Sequence, residues 1–384
     1  MELKEYKFNE VTINFDKKRV PLSTTQRQKR QGIFRYYGAQ GVIDYIDDFI
    51  FDGTYLLIAE DGENLESKKQ NIAQVVDGKF WVNNHAHIVQ GNELCDTQYL
   101  CYLLNNMDLS GYVTGSAQPK LSQSNLNAVT LLLPSIIAQK QIVGFLYMLD
   151  QKIAVNQKIN DNLTEQARSI FQSWFIDYEP FGSSMPPDWQ PATLGQIAVI
   201  KTDSWSPAKN PDVVVEYYSI PSYDEQRYPV FESASSIKSN KYLLTSDSVM
   251  ISKLNPDTKR IWRPLCLSGH PVCSTEFIVY EAKKKGQRDY IYSLIDSVPF
   301  FNHLCSHTTG STNSRQRATP KSTLDFALYL PPDSVIEDFC QIVTPIYDLI
   351  ASNIVENQSL AKTRDNLLPR LMSGERDVSK VDDL

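Results

Sequence analysis

The chain has 384 residues, 42% apolar and 22% charged, and its 38 Lys+Arg against 45 Asp+Glu give a formal net charge of −7. That length suggests two or three domains with ample core, and the composition excludes a collagen, a disulfide-framed miniprotein and a wholly disordered chain. No apolar run approaches the ~18–20 residues of a membrane span, and MELKEYKFNEVTINFDKKRV at the start lacks the apolar stretch of a secretory signal, so a cytoplasmic protein without membrane contact is expected. Cys95, Cys101, Cys266, Cys273, Cys305 and Cys340 form no CxxC pair, which suits reduced, mostly buried thiols. The acidic total does not decide the partner, because binding follows local charge.

In chain order, the first feature is a basic stretch. Residues 17–35, KKRVPLSTTQRQKRQGIFR, hold Lys17, Lys18, Arg19, Arg27, Lys29, Arg30 and Arg35 and no acid, and Tyr36, Tyr37 and Gly38 follow. Read as a loop ending in aromatics, it suits DNA, with cations on phosphates and Arg or Gln side chains on base edges. The alternative is a solvated loop. Strand-like runs come next: GVIDYIDDFIF, DGTYLLIAE, KFWVNNHAHIV and LNAVTLLLP are β-branched and aromatic, with turn residues between them. A Gly-Ser loop with an amide and a cation, TGSAQPKLS, precedes the last of these.

A long helical pattern follows. Ile142, Leu146, Leu149, Ile153, Asn156, Asn160, Leu163, Ala167, Ile170 and Trp174 are spaced alternately four and three, a heptad seam spanning about 48 Å. The segment DYEPFGSSMPPDW then marks a boundary. A second strand-rich block opens at WQPATLGQIAVI and contains YYSIP, DSVMISKL and STEFIVYEA. It carries Lys253, Asn255, Lys259, Arg260 and Arg263 in ISKLNPDTKRIWR, and a second Gly-Ser-flanked loop, STNSRQR. A second seam closes the chain: Phe339, Val343, Ile346, Ile350, Asn353, Asn357, Leu360, Arg364, Leu367 and Leu371, with Pro345 predicting a kink or a late start.

The two seams are copies. A shift of 197 residues sets Ile153 on Ile350, Asn156 on Asn353, Asn160 on Asn357 and Pro134 on Pro331. In an antiparallel pairing Asn156 comes level with Asn357 and Asn160 with Asn353, so the four amides can satisfy one another and fix register. The chain therefore divides into blocks at 1–134 and 190–332, helices at 135–179 and 333–374, a linker at 180–189 and a polar tail at 375–384.

Catalytic signatures are missing. No GxxxxGK[ST] or GxGxxG loop occurs, and the Pro-Pro pairs of SMPPDW and YLPPDS lack the flanks of an amino-methyltransferase. Glu66 and Lys68 after Asp52 or Asp61 have the loose order of a metal-dependent nuclease, a pattern common by chance. His85 with His87, or Cys266, His270 and Cys273 with His303, Cys305 and His307, are the conceivable metal ligands, at irregular spacing for zinc. A coiled-coil scaffold whose blocks bind protein is the remaining alternative.

These segments resemble a known family. FRYYGAQGVIDYIDDFIFDGTYLLIAEDGENL with GKFWVNNHAHIV is similar to a target-recognition domain. The run from TGSAQPKLS to WFIDYEPF, the segment NIVENQSLAKTRDNLLPRLMSGE and the motif ISKLNPDTKRIW are similar to the remaining parts of a type I restriction–modification specificity subunit. The resemblance implies an α+β fold: two mixed α/β target-recognition domains separated by two long conserved helices that form an antiparallel coiled coil, in a pseudo-twofold arrangement. It implies a non-catalytic chain that binds double-stranded DNA at an asymmetric, bipartite site. Its partners would be two methylation subunits and, in the full enzyme, two ATP-dependent translocating restriction subunits. S-adenosylmethionine, ATP and Mg would sit on those partners, with no cofactor or metal on this chain.

The DNA-binding candidates are then Arg27, Lys29, Arg30, Arg35, Tyr36, Tyr37, Asn83, Asn84, Ser116, Gln118 and Lys120 in the first half. In the second they are Lys253, Asn255, Arg260, Ser311, Asn313, Arg315 and Arg317. Phe171, Trp174, Phe175 and Tyr178 exceed what one seam needs, and Phe171, Trp174, Phe175, Leu368 and Leu371 are expected to dock the methylation subunits.

Overall fold

A computed structural model of the chain describes residues 2–67, 70–115, 118–309 and 316–375. Two compact units emerge: Met1–Ile153 with Gln358–Leu384, and Ala154–Asn357. Each unit takes part of both long helices, Ile136–Phe175 and Asp333–Met372, because each block buries its apolar face on helix segments from both.

In the first unit the strand Lys4–Lys7 pairs antiparallel with Thr130–Leu133, which leads into the first long helix. A four-stranded antiparallel sheet has the order Thr12–Asn14, Ala86–Gly91, Tyr55–Ala59, Ala73–Val76. Leu56, Leu57, Ile58 and Ala59 are all buried, as a central strand covered on both faces requires. The helix Thr97–Asn106, N-capped by Asp96, covers the sheet. Leu56, Val89, Tyr99 and Leu104 share a core with Ile142 and Leu146 of the first long helix and Leu367 and Leu371 of the second. A second sheet has the order Gly41–Ile46, Gln31–Gly38, Lys79–Val82, Phe51–Asp52, and its middle pair is parallel.

The second unit repeats the plan. Gln190–Thr193 pairs with Ala327–Leu330. One sheet has the order Ala198–Lys201, Phe277–Ala282, Ser248–Ser252, Ile261–Trp262. The other has the order Ser204–Trp205, Lys241–Leu243, Pro271–Cys273, Val214–Tyr218, Val230–Ser233, again with one parallel pair, Val214–Tyr218 on Pro271–Cys273. Its core gathers Phe171 and Phe175 of the first long helix with Trp189, Tyr290 and Phe339.

Within this unit the seam asparagines meet across the helix pair. Asn156 Nδ2 donates to Asn357 Oδ1 at 2.9 Å, and Asn353 Nδ2 donates to Asn160 Oδ1 at 2.8 Å. Asn156 also reaches Glu356, at 2.6 Å. The helices therefore run antiparallel here, at the level the amides dictate. In the first unit Arg364 and Asp150 link them at 2.6 Å.

Two expectations are corrected. The basic stretch is not a loop: Ser23 caps the helix Thr24–Gln28 in a capping box with Gln26, and the strand Gln31–Gly38 follows. The second long helix does not start late. It runs unbroken through Pro345, whose ring lies on the exposed face while Val343 and Tyr347 are buried. At the end of the linker, Trp189 packs against Phe175, Tyr178 and Phe181.

Candidate nucleic-acid interface

In the first unit three loops meet at the end of the strand Gln31–Gly38. Asn83 N–H donates to the Tyr37 carbonyl at 3.0 Å, and Asn83 Oδ1 accepts from His85 N–H at 2.8 Å. Glu60 N–H donates to the His85 carbonyl at 2.9 Å, Leu121 N–H to the Glu60 carbonyl at 2.8 Å, and Gly62 N–H to the Pro119 carbonyl at 3.2 Å. Asp61 and Lys120 form a β-bridge beside them. Gly62 has φ +130°, so the turn needs a residue that tolerates positive φ.

The second unit builds the same network from other residues. Ser274 N–H donates to the Tyr218 carbonyl at 2.9 Å, and Ser274 Oγ accepts from Glu276 N–H at 3.2 Å. Lys253 N–H donates to the Glu276 carbonyl, Ala318 N–H to the Lys253 carbonyl, and Asn255 N–H to the Gln316 carbonyl, each at 2.9 Å. Leu254 bridges Arg317 as Asp61 bridges Lys120. Asn255 occupies the place of Gly62 and also has positive φ, 47°. Asn is among the residues that adopt this conformation at least cost.

One backbone frame thus carries two sets of side chains. Glu60, Asp61, His85 and Lys120 in the first unit stand where Lys253, Leu254, Glu276 and Arg317 stand in the second. In the first, His85 Nδ1 lies 2.7 Å from Asp61 and Lys120 Nζ lies 3.3 Å from Glu60, while Asn84 and Gln118 are exposed. In the second, Arg317 makes a two-point contact with Glu276 at 3.0 and 3.3 Å. The Asn255 side-chain oxygen is buried without a partner among the described residues. Amides, imidazole, carboxylate and cation at exposed turns are the groups that read base edges and hold phosphates.

The frame of the first unit rests on a buried pair. Asp16 lies 2.6 Å from His87 Nδ1 and accepts from Ile88 N–H at 2.8 Å, while His87 Nε2 faces the Leu121 carbonyl at 2.8 Å. Burial pushes the Asp16 carboxyl up, but the hydrogen bonds from His87 and Ile88 and the charges of His87 and Arg19 outweigh it and hold it below its ordinary range.

The structure brings Asn84, Gln118 and Lys120 together in the first unit, and Lys253, Asn255 and Arg317 in the second. Of the basic stretch it brings Arg19 there, which donates to Glu60 at 2.9 Å and to the Ala86 carbonyl at 2.8 Å, but not the DNA-binding candidates Arg27, Arg30 and Arg35. Arg27 donates to Asp44 at 2.9 Å and to the Leu22 carbonyl, and it covers the Tyr36 ring. Hydrogen bonds from Gln31 and the Tyr45 N–H, with Arg27, hold the Asp44 carboxyl below its ordinary range. Arg30 pairs with Asp47 and Asp48 over the Trp81 ring. Arg35 donates to the Asp77 carbonyl over Tyr37. Arg27 and Arg30 have local acceptors because the hairpin strand Gly41–Ile46 and the turn after it supply the carboxylates that the stretch itself lacks. Lys29 is exposed and has no ion pair among the described residues.

Further corrections follow from burial and pairing. Tyr36 and Tyr37 fill the core, at 0% and 4% exposure, and cannot stack on bases. Asn83 is buried and shapes its own turn. Arg260 is locked in a two-point contact with Asp224, at 2.7 and 2.9 Å. Ser116, Ser311, Asn313 and Arg315 lie outside the described residues, as does Lys68. The supposed surplus apolar surface is also covered: Phe171 and Phe175 are sealed in the second core with Trp174 packed beside them, and Leu371 is sealed in the first with Leu368 packed on it. Ile137, Tyr147 and Met148 in the first unit, and Val155, Ile159, Ile342 and Leu349 in the second, are exposed apolar positions on the long helices that the heptad seam does not include.

No group of three or more metal-ligating side chains occurs among the described residues. Burial pushes the Cys266 thiol up to about 12 and raises that of Cys273 as well. His303 Nε2 faces the Ser322 carbonyl instead. No described helix is long and apolar enough to cross a membrane.

Residues 2–165 match the family model for the type I restriction modification DNA specificity domain. A Haemophilus influenzae protein described as a type I restriction enzyme specificity subunit is 33% identical over 138 residues, 36% of this chain and 35% of that one. The chain thus spans about a third of that relative. The MjaIX specificity subunit of Methanocaldococcus jannaschii is 24% identical over 310 residues, covering 74% of this chain and 70% of that one. Among solved structures, the S subunit of a type I restriction–modification system from M. genitalium superposes over 97% of this chain and 96% of its own, with TM-score 0.63 and 13% identity, a likeness of fold.

Proposed function

We propose that this chain is a specificity subunit of a type I restriction–modification system and recognises an asymmetric bipartite DNA sequence, each unit reading one part. The observation that carries this reading is the duplicated loop frame. The same backbone hydrogen bonds recur in both units, but His85, Asp61 and Lys120 are replaced by Glu276, Leu254 and Arg317. Equal frames with unequal side chains suit one kind of ligand read as two different base sequences. Lys120 and Arg317 supply contacts to phosphate or base edges, and Asn84, Gln118 and Asn255 supply amides.

The chain does no chemistry in this account. Two methylation subunits carry S-adenosylmethionine, and two ATP-dependent restriction subunits carry ATP and Mg in the full enzyme. The exposed apolar positions on the long helices are the surface the methylation subunits would cover. The complex of the full chain with its methylation subunit is expected to enrich two short blocks, separated by unread positions, from a randomised duplex library. Replacing His85 and Lys120 with alanine should change the bases recovered in one block and leave the other intact. A single continuous block, or no enrichment, would count against the reading.

A further inference from the structure

In the second unit a cavity of about 280 Å³ opens beside the long helices, lined by Arg168, Lys259, Arg263, Tyr223, Trp262 and Tyr347 among others. Its three paired cations do not await an anion. Arg168 donates to both oxygens of Asp296, at 2.7 and 3.2 Å, and Lys259 Nζ lies 2.6 Å from the same carboxylate. Arg263 donates to both oxygens of Asp289, at 2.7 and 3.2 Å, and to Asp348 at 2.7 Å. Asp289 and Asp296 are 3% and 7% exposed, so these two carboxylates are shielded from water and salt, while Arg168 and Asp348 stay partly in solvent.

The partners come from three places. Arg168 is on the first long helix, Asp348 is on the second, and Asp289 and Asp296 bracket the helix Arg288–Asp296. What they grip is the segment Lys259–Arg263, which directly continues the turn holding Lys253 and Asn255. That turn is closed by Thr258 N–H on the Asn255 carbonyl, at 3.0 Å. Arg260 adds a third tie, to Asp224. A displacement of the grip therefore has few rotatable bonds in which to dissipate before it reaches Asn255.

The first unit holds the matching place differently. Asn105 stands where Asp296 stands, and it makes neutral bonds to the backbone of Ile72 and Ala73 at 2.9–3.0 Å. Its block is tied to the helices by Asp150, which accepts from Tyr102 and Arg364.

We infer that the ion network of Arg168, Asp296, Lys259, Arg263 and Asp348 positions the reading turn of the second unit, so that these residues set base preference without touching DNA. This rests on the DNA-reading function proposed above. Positioning matters because base-edge hydrogen bonds tolerate little misplacement, and a lost contact costs about tenfold in discrimination per base pair.

The test is the same library selection, with the full chain assembled with its methylation subunit. Arg168→Gln should relax preferences in one block by about tenfold per position and leave the other at wild-type values. Arg168→Lys, which keeps the charge on Asp296, should retain both blocks. Both blocks recovered unchanged from a folded Arg168→Gln protein would overturn the inference. If that variant fails to fold by circular dichroism, Asp348→Asn decides by the same criterion, since Asp348 is 63% exposed and its loss opens no core. A wild-type complex that selects no bipartite sequence would instead remove the functional reading, and the inference with it.

Discussion

Replacing Asp16 with alanine is expected to destabilise the first unit by about 3–5 kcal/mol, the usual cost of removing one partner of a buried charged pair. Asp16 and His87 are 8% and 1% exposed, so the loss would leave His87 and the Ile88 N–H facing a dry gap. A shift of the urea midpoint confined to one transition would measure it. The wild-type unit should also show an acid limit with a definite sign. The Asp16 carboxyl titrates below its ordinary range when folded, so its contribution is present above the unfolded value of about 3.9 and is lost as pH falls through the folded value. The alanine variant should lack that slope. Because His87 also holds the Leu121 carbonyl, loosening should spread to the loop carrying Gln118 and Lys120. Unchanged stability in the variant would refute this role for the pair.

Asn156→Leu is expected to cost about 1–3 kcal/mol in the second unit, because Asn357 loses its donor inside the seam. Replacing Asn156 and Asn357 together with leucine should recover most of that loss, since an apolar pair leaves no buried amide unsatisfied and Glu356, which also loses its bond to Asn156, is exposed to water. The recovered protein should be less particular about helix register, as coiled coils without a polar seam position are. A double variant as unstable as the single one would show that the amides contribute through packing instead.

The helices and their pairing were legible in the sequence because a heptad pattern is local and each Asn has its copy 197 residues away. Most strands were legible for the same reason: YLLIA and FIVYEA declare burial in their own composition. The reading frame was not legible. Loops of unequal length separate its parts, so no single shift aligns Tyr37 with Tyr218, His85 with Glu276 and Lys120 with Arg317. The 197-residue shift of the helices does set Lys120 on Arg317, and the two Gly-Ser loops were legible as counterparts, but only the hydrogen-bond network reveals the equivalence of the other pairs. The basic stretch misled because charge was counted along the chain. Asp44, Asp47 and Asp48 return to it across the hairpin, a pairing that sequence distance conceals. Phe171 and Phe175 misled similarly. They looked surplus to a two-helix seam because part of the demand they meet, the core around Tyr290, comes from the neighbouring block.

The central claim is that two units with one backbone frame and different side chains read two parts of one DNA site. Mapping methylated adenines in a host that lacks other adenine methylation, carrying this chain and its methylation subunit, tests it most directly. The account predicts methylation at a two-part motif with an unread gap, and a change in only one part when Asp61, His85 and Lys120 are exchanged for Leu, Glu and Arg. A motif that is continuous, or one that this exchange leaves untouched, would contradict it.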